Sequence, residues 1–92
     1  MIDPTYKSAI LFKAVGHPIR IKILRVLTQY NTMTVTELSH FLSIEQPVIS
    51  LHLAILRKHS ILKVQKKGKQ SSYSILDMSL RQAVNLVYNT YC

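Results

Sequence analysis

Acidic side chains are scarce in this chain of 92 residues, which has 4 of them against 12 lysines and arginines. They are Asp3, Glu37, Glu45 and Asp77, and each stands where a helix is predicted to begin. A carboxylate at that place accepts hydrogen bonds from free backbone N–H groups and complements the helix dipole. Because this structural role accounts for all four, no paired carboxylates remain for acid–base catalysis. We therefore predict that the chain is not an enzyme.

Cysteine and long apolar runs are also missing or rare. The single cysteine, Cys92, permits no disulfide bond within the chain. No apolar run approaches the length that spans a bilayer, and the N-terminus lacks a signal-peptide pattern. We therefore expect a soluble cytoplasmic protein that does not span a membrane.

Histidine is present but not in a metal-binding pattern. The four histidines are His17, His40, His52 and His59, and no two of them are four residues apart. A helical metal site commonly uses that spacing to bring two ligands to one face. We therefore expect no metal site within the chain and no cofactor, and a metal site assembled from several subunits is the alternative.

What remains is the composition of one small globular domain, residues 1–92, with 48% hydrophobic residues and a net charge of +8. A core of this size often needs a partner subunit to complete it. The excess of basic charge favours a polyanionic partner, either nucleic acid or an anionic membrane surface. The membrane is the weaker alternative because the lysines cluster on a predicted hairpin instead of along one helical face.

Prolines and capping residues mark the first two helices. Asp3 followed by Pro4 is typical of a helix start, with the proline at the first helical position. Gly16 predicts the end of that helix, and Pro18 predicts the start of the next, which ends near Asn31.

Two capping-box patterns predict the third and fourth helices. Thr34 and Ser43 each stand three residues before a glutamate or glutamine. The helices that they begin extend to about Leu42 and about His59. Because only one or two residues separate the two helices, the pair has the short turn of a helix-turn-helix.

The final third of the chain changes its hydrophobic period. Between Leu62 and Leu76 the period approaches two, with a turn at Lys67-Gly68-Lys69, so a β-hairpin is predicted. Asp77 then begins a fifth helix. The predicted fold is mainly α with a β-hairpin wing (α+β), in the order of four helices, two strands and one helix. This is the order of a winged helix-turn-helix.

The fourth helix has two different faces. Its inner face includes His52, for which a hydrogen-bonded, partly buried structural role is predicted. Its outer face is small and uncharged until its basic end, which suits close approach to the base edges of a DNA major groove. The alternatives are an ordinary solvated face and a contact with another protein. The outer face consists of Gln46, Pro47, Ser50, Leu51, Ala54, Arg57 and Lys58.

The hairpin is rich in lysine. No acidic residue occurs between Glu45 and Asp77. Charged strands also protect a sheet edge from aggregation, so solubility is an alternative role. The clustering next to an uncharged helix face favours phosphate contacts instead, made by Lys66, Lys67 and Lys69. Each such contact would steepen the decrease of affinity with salt, by about 0.9 in a log–log slope.

The terminal helices carry more apolar surface than one small core readily absorbs. Part of that surface belongs to the core, and the remainder predicts a homodimer interface. Two-fold symmetry would place two DNA-reading helices about one turn of DNA apart. The predicted interface residues are Tyr6, Ile10, Val84, Val87, Tyr88 and Tyr91.

Several of these segments together resemble a known family. Residues 14–24 (AVGHPIRIKIL), residues 50–57 (SLHLAILR), the turn at residues 67–69 and the strand at residues 73–75 (YSI) are similar to the ArsR/SmtB group of bacterial winged-helix repressors. The resemblance implies a homodimer that binds an imperfect palindrome at a promoter and represses transcription. It also implies base contacts at the positions that the outer face gives, which are Gln46, Pro47, Ser50 and Leu51.

The sensing residues of that family are not matched. Metal sensors of the family carry a cysteine motif on the third helix, where this chain has Ser39, His40 and Phe41. In a redox-responsive subgroup, one cysteine on the second helix pairs with one near the end of the last helix. Cys92 matches the second of these positions, but Arg25 stands at the first. The resemblance therefore implies no metal site and no intramolecular thiol switch.

The leading hypothesis is a dimeric, sequence-specific repressor that binds double-stranded DNA through residues 46–58 and 63–75. One alternative is a winged-helix module for protein interaction or RNA binding, for which Gln46 and Ser50 would be dispensable. Another is the same repressor under control by zinc, by oxidants or through Cys92, which would react alone or bridge two chains. The sequence gives no small-molecule effector.

Overall fold

The structure is a computed structural model that describes residues 3–91 and the side chains of residues 3–90. Its order confirms the predicted winged helix-turn-helix, and each predicted helix is present. The elements are α1 (Pro4–Val15), α2 (Pro18–Tyr30), β1 (Met33–Thr34), α3 (Val35–Leu42), α4 (Gln46–Lys58), β2 (Leu62–Lys67), β3 (Gln70–Ile75) and α5 (Met78–Tyr91). We call β2, β3 and their turn the wing.

The sheet has a third strand that the sequence pattern does not reveal. β1 pairs antiparallel with β3, with Met33 opposite Tyr73 and Thr34 opposite Ser72, so the sheet order is β1-β3-β2. Two residues are too few to show an alternating hydrophobic pattern. Thr34 ends this strand and also caps α3, so the sheet is joined directly to the helix-turn-helix.

One predicted capping box is present and the other is wrong. At α3, the Glu37 N–H donates to Thr34 Oγ1 over 3.1 Å, and the Thr34 N–H donates to Glu37 Oε1 over 3.0 Å. At α4, the N-cap is Glu45, and no side chain caps the helix. Ser43 instead ends α3 with a left-handed backbone, φ 55°. A turn this short needs Ser43 to reverse the chain, so it cannot also begin α4.

The core lies where α2, α3 and α4 meet below the sheet. Apolar side chains on the inner faces of these helices pack against the first residues of the wing. This packing fixes which side of α4 points outward. The largest fully buried side chains are Ile23, Leu24, Leu27, Leu38, Ile49, Leu53, Leu56 and Ile61.

Among residues 3–91, no helix is both long enough and apolar enough to cross a bilayer.

Candidate nucleic-acid interface

The α4 outer face is exposed along its whole length. With 3.6 residues per turn, positions 46, 47, 50, 51, 54, 57 and 58 fall on one side of the helix, and each is exposed. Leu51 has 60% of its surface in solvent, although it is a large apolar residue. An apolar side chain held in water on an uncharged face is available for contact with a partner.

The start of α4 presents two exposed residues, Gln46 and Pro47. Pro47 stands in the first turn, where a missing backbone N–H leaves no hydrogen bond unmade. The Gln46 side chain precedes it and is exposed. Its amide nitrogen makes one long contact, 3.4 Å, with Thr36 Oγ1 of α3. The Gln46 amide can therefore exchange this weak contact for a better one.

The wing presents its lysines around its tip. Lys66 lies opposite Ser71, and Lys67 lies opposite Gln70. Successive residues of a strand point to opposite faces, so these two lysines lie on the two sides of the hairpin. Lys69 stands in the turn that follows. The tip therefore carries positive charge on both sides instead of in one row, and the wing contains no acidic residue.

The turn of the wing depends on its glycine. Gly68 has φ +62°, a left-handed conformation that glycine adopts without strain. A two-residue hairpin turn of type II′ requires glycine at this first position. Gly68 thus allows Lys67 and Lys69 to stand close together at the tip.

The inner side of α4 is joined to α2 and α1 through a polar cluster. His52 is buried, and its Nδ1 accepts a hydrogen bond of 3.2 Å from Arg20 Nε. Arg20 Nη1 also donates to the backbone oxygen of Ala14, over 2.8 Å. The His17 ring lies 4.5 Å from the His52 ring, and His17 Nδ1 caps α2 by accepting from the Ile19 N–H. His52 is therefore buried and hydrogen-bonded, as predicted.

The surroundings of His52 disfavour its charged form. Burial is the main cause that lowers its pKa below the ordinary value of 6.5, and the nearby His17 and Arg20 lower it further. The helix pattern predicts the inward position of His52, but it does not predict that Arg20 is its hydrogen-bond partner. Arg20 stands in the first turn of α2, where a basic group opposes the helix dipole, but this position does not identify its partner.

The residues predicted for a dimer interface do not share one environment. Tyr6 and Val87 are 64% and 57% exposed, and Ile10 and Tyr88 are also exposed. Val84 is only 6% exposed because it packs into the core of the single chain. Tyr91 lies at the end of α5, and its side chain is outside the described residues.

An apolar groove runs beside the exposed part of α5. It has a volume of about 640 Å³ and lies between the end of α1, the start of α2 and α5. Its walls are almost entirely apolar. They include Phe12, Val15, Ile21, Ala83 and Val87.

Arg25 stands where the redox-responsive subgroup has a cysteine on the second helix, and here it makes a different kind of contact. The Arg25 guanidinium on α2 lies over the Tyr88 ring of α5, 4.5 Å from its centre, as a cation–π pair. Cys92 lies outside the described residues. Among the residues that are described, no group of three His, Cys, Asp or Glu side chains is placed to hold a metal ion.

Comparisons with known proteins all match the chain to helix-turn-helix transcription regulators. A family model described as a helix-turn-helix domain matches residues 15–65, more than half of the chain. An uncharacterised helix-turn-helix transcriptional regulator of Methanocaldococcus jannaschii is 40% identical over 81 residues, which cover 88% of this chain and 91% of that protein. The biofilm growth-associated repressor of Xylella fastidiosa is 31% identical over 82 residues, covering 89% and 71%.

The fold is also that of a solved regulator. The structure of HlyU from Vibrio cholerae matches with a TM-score of 0.91 at 29% identity, over 100% of this chain and 99% of that chain. HlyU of this species is named a transcriptional activator. The relatives are transcription regulators and not enzymes. The chain belongs to the ArsR/SmtB-type family of winged helix-turn-helix transcriptional regulators, and it is a DNA-binding regulator.

Proposed function

We propose that this protein is a homodimeric repressor that binds a palindromic operator in a sequence-specific manner. The α4 outer face enters the major groove, and the wing contacts the neighbouring phosphates. The observation that carries the proposal is the continuity between the two surfaces. An exposed, uncharged helix face stands next to a lysine-rich wing with no acidic residue between Gln46 and Leu76.

The side chains of the α4 outer face suit the edges of base pairs. The Gln46 amide can pair with adenine through two hydrogen bonds, and the Ser50 hydroxyl can either donate or accept. Leu51 offers an apolar surface to the methyl group of thymine. Pro47 and Ala54 are small enough to let the helix backbone approach. Arg57 stands at the last turn, where a basic group reaches towards a phosphate or a guanine.

The wing supplies affinity that does not depend on sequence. Lys66 and Lys67 lie on opposite sides of the hairpin and Lys69 lies at its turn, so the tip can contact phosphates on either side of it. Replacement of bound counterions by these lysines makes the affinity depend strongly on salt.

The exposed apolar surface of α1 and α5 supports the dimer. Tyr6, Ile10, Val87 and Tyr88 remain exposed in the single chain, and the apolar groove opens beside α5. A two-fold interface would cover this surface and place the two α4 helices about 34–36 Å apart, the distance between successive major grooves. Repression is proposed because relatives in several species are named repressors. Activation is the alternative, since HlyU is named an activator.

Fluorescence anisotropy tests this function. The purified protein is titrated into a labelled duplex that carries the region upstream of its own gene, and into a scrambled duplex of equal length and composition. Specific regulators generally prefer their site by about a thousandfold or more. We expect a clear preference for the upstream duplex, and a transcription assay with that region is expected to show reduced transcription. Equal affinity for the two duplexes would refute sequence-specific binding.

A further inference from the structure

We propose that Arg20 and His52 form a proton-sensitive clamp that positions α4, so that tight operator binding requires His52 to be neutral. The inference rests on the proposed function, since operator binding is one of its readouts. Arg20 acts here as a positioning residue. Its guanidinium contacts His52 of α4 and the Ala14 oxygen of α1, and it acts on operator binding through the position of α4.

The direction of the hydrogen bond fixes the state of the His52 ring. An arginine nitrogen can only donate, so the Nδ1 atom that accepts from Arg20 Nε over 3.2 Å carries no proton. The neutral ring therefore holds its proton on Nε2. The other arm of the same guanidinium donates to the Ala14 oxygen at the end of α1. One side chain thus joins α1, α2 and α4.

A second proton on His52 would have to bind at Nδ1, the atom that accepts from Arg20. That proton removes the acceptor and places an imidazolium next to a guanidinium in a buried position. His52 is 7% exposed, so water can do little to screen the two charges. Protonation therefore breaks the link between α4 and the other two helices.

Among residues 3–90, no negative group compensates this repulsion. The charged or titratable groups that act on His52 are His17 and Arg20, which both belong to the start of α2. α1, α3 and β2 also pack against α4, but no charged group from their described residues acts on the ring. The same surroundings lower the pKa of His52, with burial as the largest cause.

The clamp lies next to the base-reading residues. Ser50 and Leu51 directly precede His52 in α4, and both are exposed whereas His52 is buried. A change in how His52 is held therefore changes how these two side chains are presented to DNA. Base contacts depend on hydrogen-bond geometry, whereas phosphate contacts are largely electrostatic, so a loosened helix weakens its base contacts more than its phosphate contacts.

A general gain of positive charge on acidification has the opposite effect, because added positive charge on a protein strengthens its binding to DNA. Electrostatics alone therefore predicts tighter binding in acid. A weaker binding to the operator in acid is the signature of the clamp.

The test compares operator affinity at about pH 7.5 and about pH 5.5, at constant ionic strength, in the wild type and in His52→Asn. Asparagine places an amide oxygen near the position of Nδ1, so it can accept from Arg20 without titrating. For the wild type we expect operator affinity to fall by about threefold or more on acidification, while affinity for a scrambled duplex does not fall. His52→Asn is expected to lose this decrease, and the matched variant His40→Gln is expected to keep it.

A second readout does not use DNA. Heteronuclear NMR of the whole protein reports the ionisation and tautomer of His52 and the amide shifts of α4 in one titration. We expect Nδ1 to be unprotonated at neutral pH, and the α4 amides to shift with the pKa of His52. If His52 titrates without any shift in α4, or if wild-type operator affinity is constant or rises in acid, the clamp is refuted. This holds even if His52→Asn fails to fold.

The two readouts also separate this inference from the proposed function. A protein that shows no preference for its upstream duplex at any pH refutes the function. The NMR titration would still show whether protonation of His52 releases α4. A specific operator whose affinity shows no decrease in acid refutes the clamp alone.

Discussion

At the scale of single residues, two leucines on α4 show that residue type alone does not assign a role. Leu51 and Leu53 are two positions apart, yet Leu51 is 60% exposed and Leu53 is 1% exposed. Their helical period predicts this difference from the sequence, because the two side chains point about 200° apart. One leucine belongs to the core, and the other belongs to the α4 outer face.

We expect the two leucines to respond differently to truncation. Leu53→Ala removes buried contacts and leaves a cavity, so it should lower the free energy of unfolding by about 2–5 kcal/mol. Leu51→Ala should change that free energy by only about 0.5 kcal/mol or less, but should weaken operator binding. Chemical denaturation and anisotropy measure the two effects. A large loss of stability in Leu51→Ala, with operator affinity unchanged, would contradict the assigned roles.

The polar cluster around His52 was only partly predictable at this scale. The helix pattern places His52 on the inner face, but Arg20 is 32 positions away along the chain. Single-sequence patterns report local periodicity, and a hydrogen bond between α2 and α4 depends on how the helices pack. For the same reason, the hydrogen bonds that Arg81 donates to Thr28 and Asn31 could not be predicted from the sequence.

The clamp also has a consequence for stability. Because the pKa of His52 is lowered from 6.5 in the folded protein, the unfolded chain binds a proton more readily. The free energy of unfolding is therefore not reduced by His52 above about pH 6.5. It decreases as the pH falls from there towards the pKa of His52 in the folded protein. Denaturant unfolding over this range should show the decrease in the wild type and a smaller one in His52→Asn. An identical decrease in the wild type and in His52→Asn would show that groups other than His52 cause the loss of stability.

At the scale of elements, the helices were predictable because strong local signals mark their ends. Pro4 and Pro18 begin α1 and α2, and Thr34 with Glu37 caps α3. The prediction failed at Ser43, where two local signals compete for one residue. A capping box and a left-handed helix end cannot both use Ser43, and the need to reverse the chain decides the outcome.

The wing makes a prediction at this scale. Replacing Lys66, Lys67 and Lys69 together with glutamine should lower operator affinity and make it less dependent on salt. Removing the lysine from one phosphate should reduce the log–log salt slope by about 0.9. Titrations at four or five salt concentrations give the slope. Lys7→Gln, an exposed lysine of α1, is the control that should leave the slope nearly unchanged. An unaltered slope in the triple variant would exclude these lysines from the phosphate contacts.

At the scale of the whole molecule, the sequence could not separate core from surface on the last helix. Val84 and Val87 are three positions apart on α5 and both are apolar, yet Val84 is 6% exposed and Val87 is 57% exposed. The division depends on how far the small core reaches, which is a property of the assembled helices. The exposed part is the surface that we assign to the dimer.

Val87→Glu should convert the dimer to a monomer. The substitution places a carboxylate on the apolar surface of each subunit, and across a two-fold axis those charges would also repel. The side chain is exposed in the single chain, so the fold should be kept. Analytical ultracentrifugation should show the dissociation constant of the dimer raised by at least about tenfold, since one unpaired charge in an interface commonly costs more than about 1.4 kcal/mol. Asn85→Glu, at an exposed position of α5 outside the apolar groove, is the control. An unchanged dimer in Val87→Glu would place the interface elsewhere.

The central claim is that the α4 outer face reads DNA bases, and the effect of Gln46→Ala on specificity tests it most directly. The quantity to measure is the ratio of affinities for the upstream and scrambled duplexes. We predict that Gln46→Ala reduces this ratio by the equivalent of about 1–3 kcal/mol, the value of a good contact with one base. Gln82→Ala, an exposed glutamine on α5, should leave it unchanged. A ratio that is the same in Gln46→Ala as in the wild type would contradict base reading by this face.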